Sequence, residues 1–331
     1  MPAPRTTAAV PPPAPPRAPV PPVPPAAPAA RRPRRRTPFR SRLGPYLLLV
    51  PAVAAIAVGL GYPLARQFVI SFQEYGLAQQ FGRPAEWVGL QNYVTLLTDP
   101  YVWTVIARSI AFCLLNAGLT MAIGIALAVL MTKVGRAARV TLQVGMLLAW
   151  GTPVLATMTV WQWLFDSQYG VVNWLLAEPL GMGSMRFHSW LIEPLSFYGV
   201  ATVIVVWMSV PFVAFTVYAG LLQVPEECME AAQLDGANAW QRLWSLAIPM
   251  VKPVLFVVAL LQVIWDLRVF TQIHVLQRAG APTRETHLLG TYIYSLAKEF
   301  SMAGAMATIM LVITLGLTVF YIRRMLREEQ L

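Results

Sequence analysis

Long apolar stretches alternating with short polar ones dominate the pattern along this chain. Six runs are predominantly apolar, at about 45–70, 104–131, 140–165, 197–223, 249–273 and 303–322. A helix needs roughly 20 residues to cross the hydrocarbon core of a bilayer. Each run meets that length and exceeds an ordinary core helix. The pattern therefore predicts an all-α polytopic membrane protein with six transmembrane helices. Pro51, Pro63, Pro153, Pro211 and Pro253 fall in or near the runs. Membrane helices tolerate proline where neighbouring groups satisfy the freed carbonyls. Two of the intervening segments contain amphipathic stretches, AEWVGLQNYVTLL within 76–103 and YGVVNWLLAEPL within 166–196. Both read as short interfacial helices with aromatic anchors.

Composition sharpens this reading. The chain is 57% hydrophobic and 12% charged, against about 25% charged for a soluble domain. Residues 1–30 are dominated by Pro and Ala and offer little to bury, so they read as a disordered tail. Residues 31–42, RRPRRRTPFRSR, form a basic run just before the first span. No small-residue cleavage site follows, which favours an uncleaved anchor over a signal peptide. The net charge of +10 could suit nucleic acid, but its placement suits anionic lipid and topology. With the N-terminus inside, the inner segments carry 17 Lys and Arg and the outer segments 5. That asymmetry puts both termini in the cytoplasm. The domain plan is a tail (1–42), a six-span domain (43–325), a cytoplasmic loop (224–248) and a short tail (323–331).

Several chemistries find no support. Cys113 and Cys228 make no disulfide framework. His188, His274 and His287 are scattered without metal-ligand spacing. No GxxxxGK[ST] stretch exists to cradle a nucleotide.

The loop between spans four and five carries the most specific signal: VPEECMEAAQLDGANAWQRLWSLAIPMVKPV, residues 224–254. Pro225 suits the first turn of a helix, and Glu226, Glu227 and Glu230 complement the positive end of its dipole. Ala231 and Ala232 leave room for another backbone. Gly236 permits the sharp turn that ends this helix. A second helix follows, with Trp240, Leu243, Trp244 and Ala247 on one face, and Pro249 marks entry to span five. Four carboxylates face one arginine, Arg242. Interfacial helices favour basic polar faces, so this acidic knob points to a protein partner.

The loop resembles the EAA motif of ABC importer permeases: E-A-A, three residues, G, nine residues, I-x-L-P. Here it reads Glu230-Ala231-Ala232, Asp235-Gly236 and Leu246-Ala247-Ile248-Pro249, with Leu and Ile exchanged. The resemblance implies a type I ABC importer permease fold in the bacterial cytoplasmic membrane. It further implies that the knob is a coupling helix docked on one of two separate ATPase subunits. ATP and Mg2+ would belong to those subunits, with no cofactor or metal on this chain and no catalysis by it. A second homologous permease and an extracytoplasmic solute-binding lipoprotein would complete the importer.

The resemblance extends over about 45–325 and is closest to the carbohydrate-uptake branch. Trp87-Val88-Gly89-Leu90-Gln91-Asn92-Tyr93 is similar to that branch's F-x-G-L-x-N-Y. Trp265-Asp266 followed by Ile273-His274-Val275-Leu276 is similar to its F-D-x-x-x-x-I-x-V-L. The T-x-G-G-P turn that usually follows becomes Gln277-Arg278-Ala279-Gly280-Ala281-Pro282, with one glycine replaced. Sugars are held by planar hydrogen-bond partners and aromatic faces. Asn116, Gln162, Trp207, Gln262, Trp265 and Asp266 are the candidate path residues on that ground. Asp266 and Arg268 are also candidates for a structural ion pair or gate, each with a partner elsewhere. Two other readings stay open. One is an ABC permease for glycerol phosphate, phosphate, polyamine or amino acid. The other is an ion-coupled secondary transporter with Asp266 as its ion site.

Overall fold

The computed structural model describes the backbone of residues 39–328 and the side chains of residues 48–327. The Pro- and Ala-rich segment, most of the basic run and residues 329–331 lie outside the described residues. Two compact units divide at residue 57. The described part of the first is α1 (Phe39–Ile56). A π-helical turn (Ala57–Gly61) leads into α2 (Tyr62–Ile70). The packing below is that of the second unit.

A two-stranded antiparallel ribbon, β1 (Gln73–Glu74) and β2 (Glu86–Trp87), brackets the one-turn α3 (Leu77–Gln80), and α4 (Gln91–Thr98) follows. The segment 87–93 is a staple for this corner. Gly89 takes φ +58°, and Asn92 Nδ2 then donates to the carbonyls of Ser71 (2.9 Å) and Gln73 (3.0 Å). Tyr93 Oη shares a 2.6 Å hydrogen bond with Ser71 Oγ. Carbonyls just past the end of α2 are thereby satisfied.

The centre is a pair of long parallel helices, α5 (Pro100–Lys133) and α9 (Pro194–Leu221). Phe112 clusters with Phe197 and Ile204 towards one end, and Met131 with Val217 and Tyr218 towards the other. Between them Gly124 lies where an added Cβ would stand 2.6 Å from Val213 Cγ1. Lipid supplies no hydrophobic drive between spans, so close backbone approach at small residues does the work. The next span, α13 (Lys252–Leu267) continued by α14 (Thr271–Arg278), runs antiparallel to this pair. Val258 joins the cluster at Met131, while Leu267 joins Val105 and Ile106. The last span, α16 (Phe300–Glu328), packs on α2, where a Cβ added at Gly304 would stand 3.2 Å from the Gln67 carbonyl oxygen.

The third apolar run departs from expectation. It is two helices, α6 (Arg136–Gly151) and α7 (Val154–Leu164), bent by 103°. Pro153 cannot donate to a preceding carbonyl and drives Thr152 into an extended conformation, ψ 131°. The described residues thus hold five helices long and apolar enough to span, and six if the bent pair is one span. The two interfacial segments do contain short helices, α4 and α8 (Val171–Ala177).

Candidate functional site

Three regions hold the residues singled out from the sequence: a finger after α9, a cavity beside α9, and a polar seam between α5 and α13.

The finger comprises α10 (Glu226–Leu234), α11 (Ala239–Arg242), a π-helical turn (Leu243–Ala247) and α12 (Ile248–Met250). Glu226 and Glu227 occupy the first turn of α10. Gly236 closes it with φ +86°. The N–H of Gly236 donates to the Gln233 carbonyl (3.1 Å) and that of Ala237 to the Ala232 carbonyl (2.9 Å). This pair of bonds is a Schellman closure, in which the left-handed residue is glycine. Asn238 then caps α11 with a reciprocal box: Asn238 Oδ1 accepts from the Gln241 N–H, and Gln241 Oε1 accepts from the Asn238 N–H. Glu230, Ala231, Asp235, Gly236 and Pro249 are exposed and Ala232 is half-buried. Leu234, at the tip, is 89% exposed. An apolar tip beside Asp235, on an acidic helix closed by local hydrogen bonds, offers a preformed contact surface. At its root lies a cavity of about 360 Å3 walled by Lys133, Arg139, Tyr218, Leu221, Glu226 and Arg242.

A second, larger cavity of about 600 Å3 lies between α5, α6 and α9. Leu119, Ile123, Gly145, Thr202, Trp207 and Pro211 are among its walls. Trp207 is 39% exposed and meets Trp161 edge to face at 5.7 Å. Pro211 leaves the Trp207 carbonyl without its helical donor. Trp265, also partly exposed, stands edge-on to Phe212 at 4.9 Å. The sequence reading did not foresee this cavity. Pro211 in the middle of an apolar run and Gly145 on the facing helix are the only local hints.

The seam holds three of the candidate path residues, and in this conformation it is closed. Asn116 and Gln262 are 0% exposed and Asp266 3%. They line neither of the two cavities described above, because α5 and α13 close over them. Asn116 Nδ2 donates to the Phe112 carbonyl at 2.7 Å. Gln262 Nε2 donates to Asp266 Oδ1 at 2.9 Å, one helical turn away. Asn116 Oδ1, Gln262 Oε1 and Asp266 Oδ2 have no hydrogen-bond partner. Gln162 is occupied too, donating to the Val275 carbonyl at 3.1 Å and tying α7 to α14. The ion-pair reading of Asp266 and Arg268 also fails: among the described residues the ion pair is Arg186 with Glu178, and Arg268 is exposed. In the turn after α14, Gly280 takes φ +118°, and among the described residues no non-glycine has positive φ. Ala281 therefore replaces a family glycine without backbone strain.

At the opposite end of α5 and α9 from the finger, a cluster of Tyr101, Arg108, Tyr198, Arg284 and His287 packs beneath α15 (Leu289–Ser295). Arg284 lies over the Tyr101 ring at 4.9 Å. The Leu289 N–H donates to Ser109 Oγ at 2.8 Å, which pins α15 to α5. His287 is 6% exposed, and neither ring nitrogen has a partner. Burial, with Arg108 adding repulsion, lowers its pKa from 6.5.

Comparison with known proteins fits this architecture. Residues 118–328 match the family described as binding-protein-dependent transport system inner membrane component. The diacetylchitobiose uptake system permease protein of Streptomyces coelicolor is 42% identical over 87% of this chain and 88% of its own. A trehalose/maltose transport system permease protein of Thermococcus litoralis is 28% identical over 86% and 93%. A bacterial ABC transporter involved in import of the acidic polysaccharide alginate shares the fold, with TM-score 0.74 and 21% identity over 87% of this chain and 96% of that one. Packed apolar spans, an exposed finger between the fourth and fifth of them, and these matches lead to one conclusion: this chain belongs to the family of binding-protein-dependent transport system inner membrane components, multi-pass membrane subunits of ABC importers.

Proposed function

We propose that this chain is one of two permease subunits of an ATP-driven carbohydrate importer, with an oligosaccharide as its solute. The finger α10–α11 lies in the cytoplasm, as do the segments before span one and after span six. It docks on a separate ATPase subunit that holds ATP and Mg2+. An extracytoplasmic binding protein delivers the solute to the opposite face. One observation carries the reading: the long helix α9 runs almost directly into an acidic, glycine-closed finger with an exposed apolar tip. Movement of the tip acts on α9, and α9 is locked to α5 at Gly124.

The carbohydrate assignment draws on the relatives named for diacetylchitobiose and for trehalose/maltose. It also draws on aromatic faces at membrane depth. We assign Trp207 and Trp265 to the translocation path. Asn116, Gln262 and Asp266 reach that path only if α5 and α13 separate during transport. The test is reconstitution of the permease with its partner permease, ATPases and binding protein. ATP-dependent uptake of labelled diacetylchitobiose, abolished by Gly236→Pro with membrane insertion intact, is the expected result. Uptake that follows an ion gradient and ignores ATP refutes the proposal.

A further inference from the structure

The cavity at the root of the finger is not explained by a protein–protein contact. Its walls come from four places: Lys133 at the end of α5, Arg139 in the first turns of α6, Tyr218 and Leu221 at the end of α9, and Glu226, Arg242 and Leu243 in the finger. Three cations thus face one carboxylate. Among the described residues none of the three forms an ion pair. Arg139 Nη2 donates to the Val134 carbonyl at 3.1 Å, and its guanidinium lies over the Tyr218 ring at 6.0 Å. Arg242 Nη1 donates to Gln233 Oε1. The Nε–H groups of both arginines remain buried without an acceptor. Buried guanidinium donors left unmatched are unfavourable unless an acceptor enters the cavity.

Most of the other walls are apolar, among them Leu221, Leu243 and Ala247. A free phosphate or nucleotide would match the cations but leave that apolar wall uncovered. A phospholipid presents both halves: a phosphodiester for the guanidinium forks and a glycerol and acyl neck for the aliphatic wall. The depth also suits it. The cavity adjoins the ends of α5 and α9, two spans, so it lies where headgroups lie. Basic pockets between spans on the cytoplasmic side are a recurrent form of lipid recognition.

We propose that this cavity binds the phosphodiester headgroup of an anionic phospholipid. Arg139 and Arg242 donate to its oxygens, and Lys133 supplies charge at the rim. Because Arg242 belongs to the finger and Arg139 to the α5–α6 turn, the lipid bridges the two and steadies the finger. That consequence rests on the coupling role proposed above, whereas the binding itself does not.

The experiment is native mass spectrometry of the complete importer extracted from phosphatidylcholine vesicles with and without phosphatidylglycerol. Parallel measurements record uptake per ATP hydrolysed in the same vesicles. The expected result is retention of phosphatidylglycerol over phosphatidylcholine by the native protein. Arg139→Gln with Arg242→Gln lowers that retention by about thirtyfold, from two headgroup-facing charges, and uptake per ATP then no longer responds to phosphatidylglycerol. Lys133→Gln, at an exposed side chain, lowers retention by about fivefold and covers the case in which the double variant does not fold. Arg136→Gln, on α6 with Arg139 but outside the cavity, leaves retention unchanged. Equal retention of the two lipids, or retention unaffected by the arginine substitutions, overturns the proposal. So does displacement of the lipid by inorganic phosphate or ATP, which identifies a free-anion site. Loss of the ATPase from the arginine variants in both lipids, with phosphatidylglycerol still bound, assigns the cluster to docking and also overturns it. A preparation with no ATPase companion removes the coupling reading while leaving the lipid measurement valid.

Discussion

Gly236 offers the sharpest test of the finger. Its φ of +86° belongs to the left-handed region, and no atom lies within 4 Å of where a Cβ would stand. Gly236→Ala therefore meets no clash, and its whole effect is the backbone penalty of an L-residue there, about 1–2 kcal/mol. At 1.4 kcal/mol per tenfold, the native turn becomes about fivefold to about thirtyfold less favoured, and apparent ATPase affinity falls by up to that factor. Gly236→Asn is milder, because asparagine tolerates the left-handed conformation. Gly236→Pro is worse on two counts. Its φ is fixed near about −65°, and it lacks the N–H that donates to Gln233. Losing that bond also displaces Ala237 from the Ala232 carbonyl. The control is Gly135→Ala: Gly135 has φ −63° and open space around it. The assay titrates solubilised permease with fluorescent ATPase subunit and measures uptake in parallel. Affinity should fall in the order native and Gly135→Ala, then Asn, then Ala, then Pro, with membrane insertion unchanged throughout. Native affinity and uptake in Gly236→Pro would refute the assignment of the finger to docking.

Other expectations follow from packing and burial. Gly124→Ala places a methyl 2.6 Å from Val213 Cγ1 and 2.7 Å from Val213 Cβ. It should destabilise the protein by about 1–3 kcal/mol, seen as a lower melting temperature in detergent; Gly118→Ala, with open space, should not, and Val213→Ala should restore part of the loss. On a Cys228→Ser background, Asn116→Cys and Gln262→Cys should resist permeant thiol reagents without nucleotide while Trp207→Cys reacts; equal labelling would contradict the closed seam. Gln262→Leu strands the Asp266 carboxyl and should cost about 1–3 kcal/mol of stability, measured by thermal unfolding. His287 is held below its ordinary pKa of 6.5, so the unfolded chain binds more protons just below that pH. Stability should therefore fall as pH drops through 6.5 and level off below the folded pKa; His287→Gln should flatten the melting temperature across about pH 5 to 8.

Local signals explain what was legible in the sequence. The finger could be read because Pro225, the first-turn glutamates and Gly236 each act on their own turn, whatever surrounds them. Its closure at Gly236, with Ala237 bonded back to Ala232, is what that spacing demands. The spans could be read because hydrocarbon thickness sets their length. The bend within the third run was not legible, because hydropathy averages across Thr152 and Pro153 and does not register a 103° turn of the helix axis. The burial of the seam residues was not legible for a different reason. Periodicity places Asn116, Gln262 and Asp266 on faces of their helices, but it does not say whether a face meets solvent or another helix. Tertiary packing decided that, and turned them inward. Arg139 and Arg242 are far apart in sequence, so the cluster at the finger root carries no contiguous motif.

The pairing of α5 with α9 has a mechanical consequence. The 28 residues of α9 form a strut about 42 Å long at 1.5 Å per residue. Pivoting that strut by about 10° at the finger end sweeps its far end through about 7 Å, on the same rise per residue. Since the Gly124–Val213 contact leaves no slack, α5 must swing with it, carrying the tyrosine–arginine–histidine cap at the distant end. Leverage of this kind needs no bending of either helix: a small tilt at one rim of the bundle becomes a displacement the width of a sugar ring at the other.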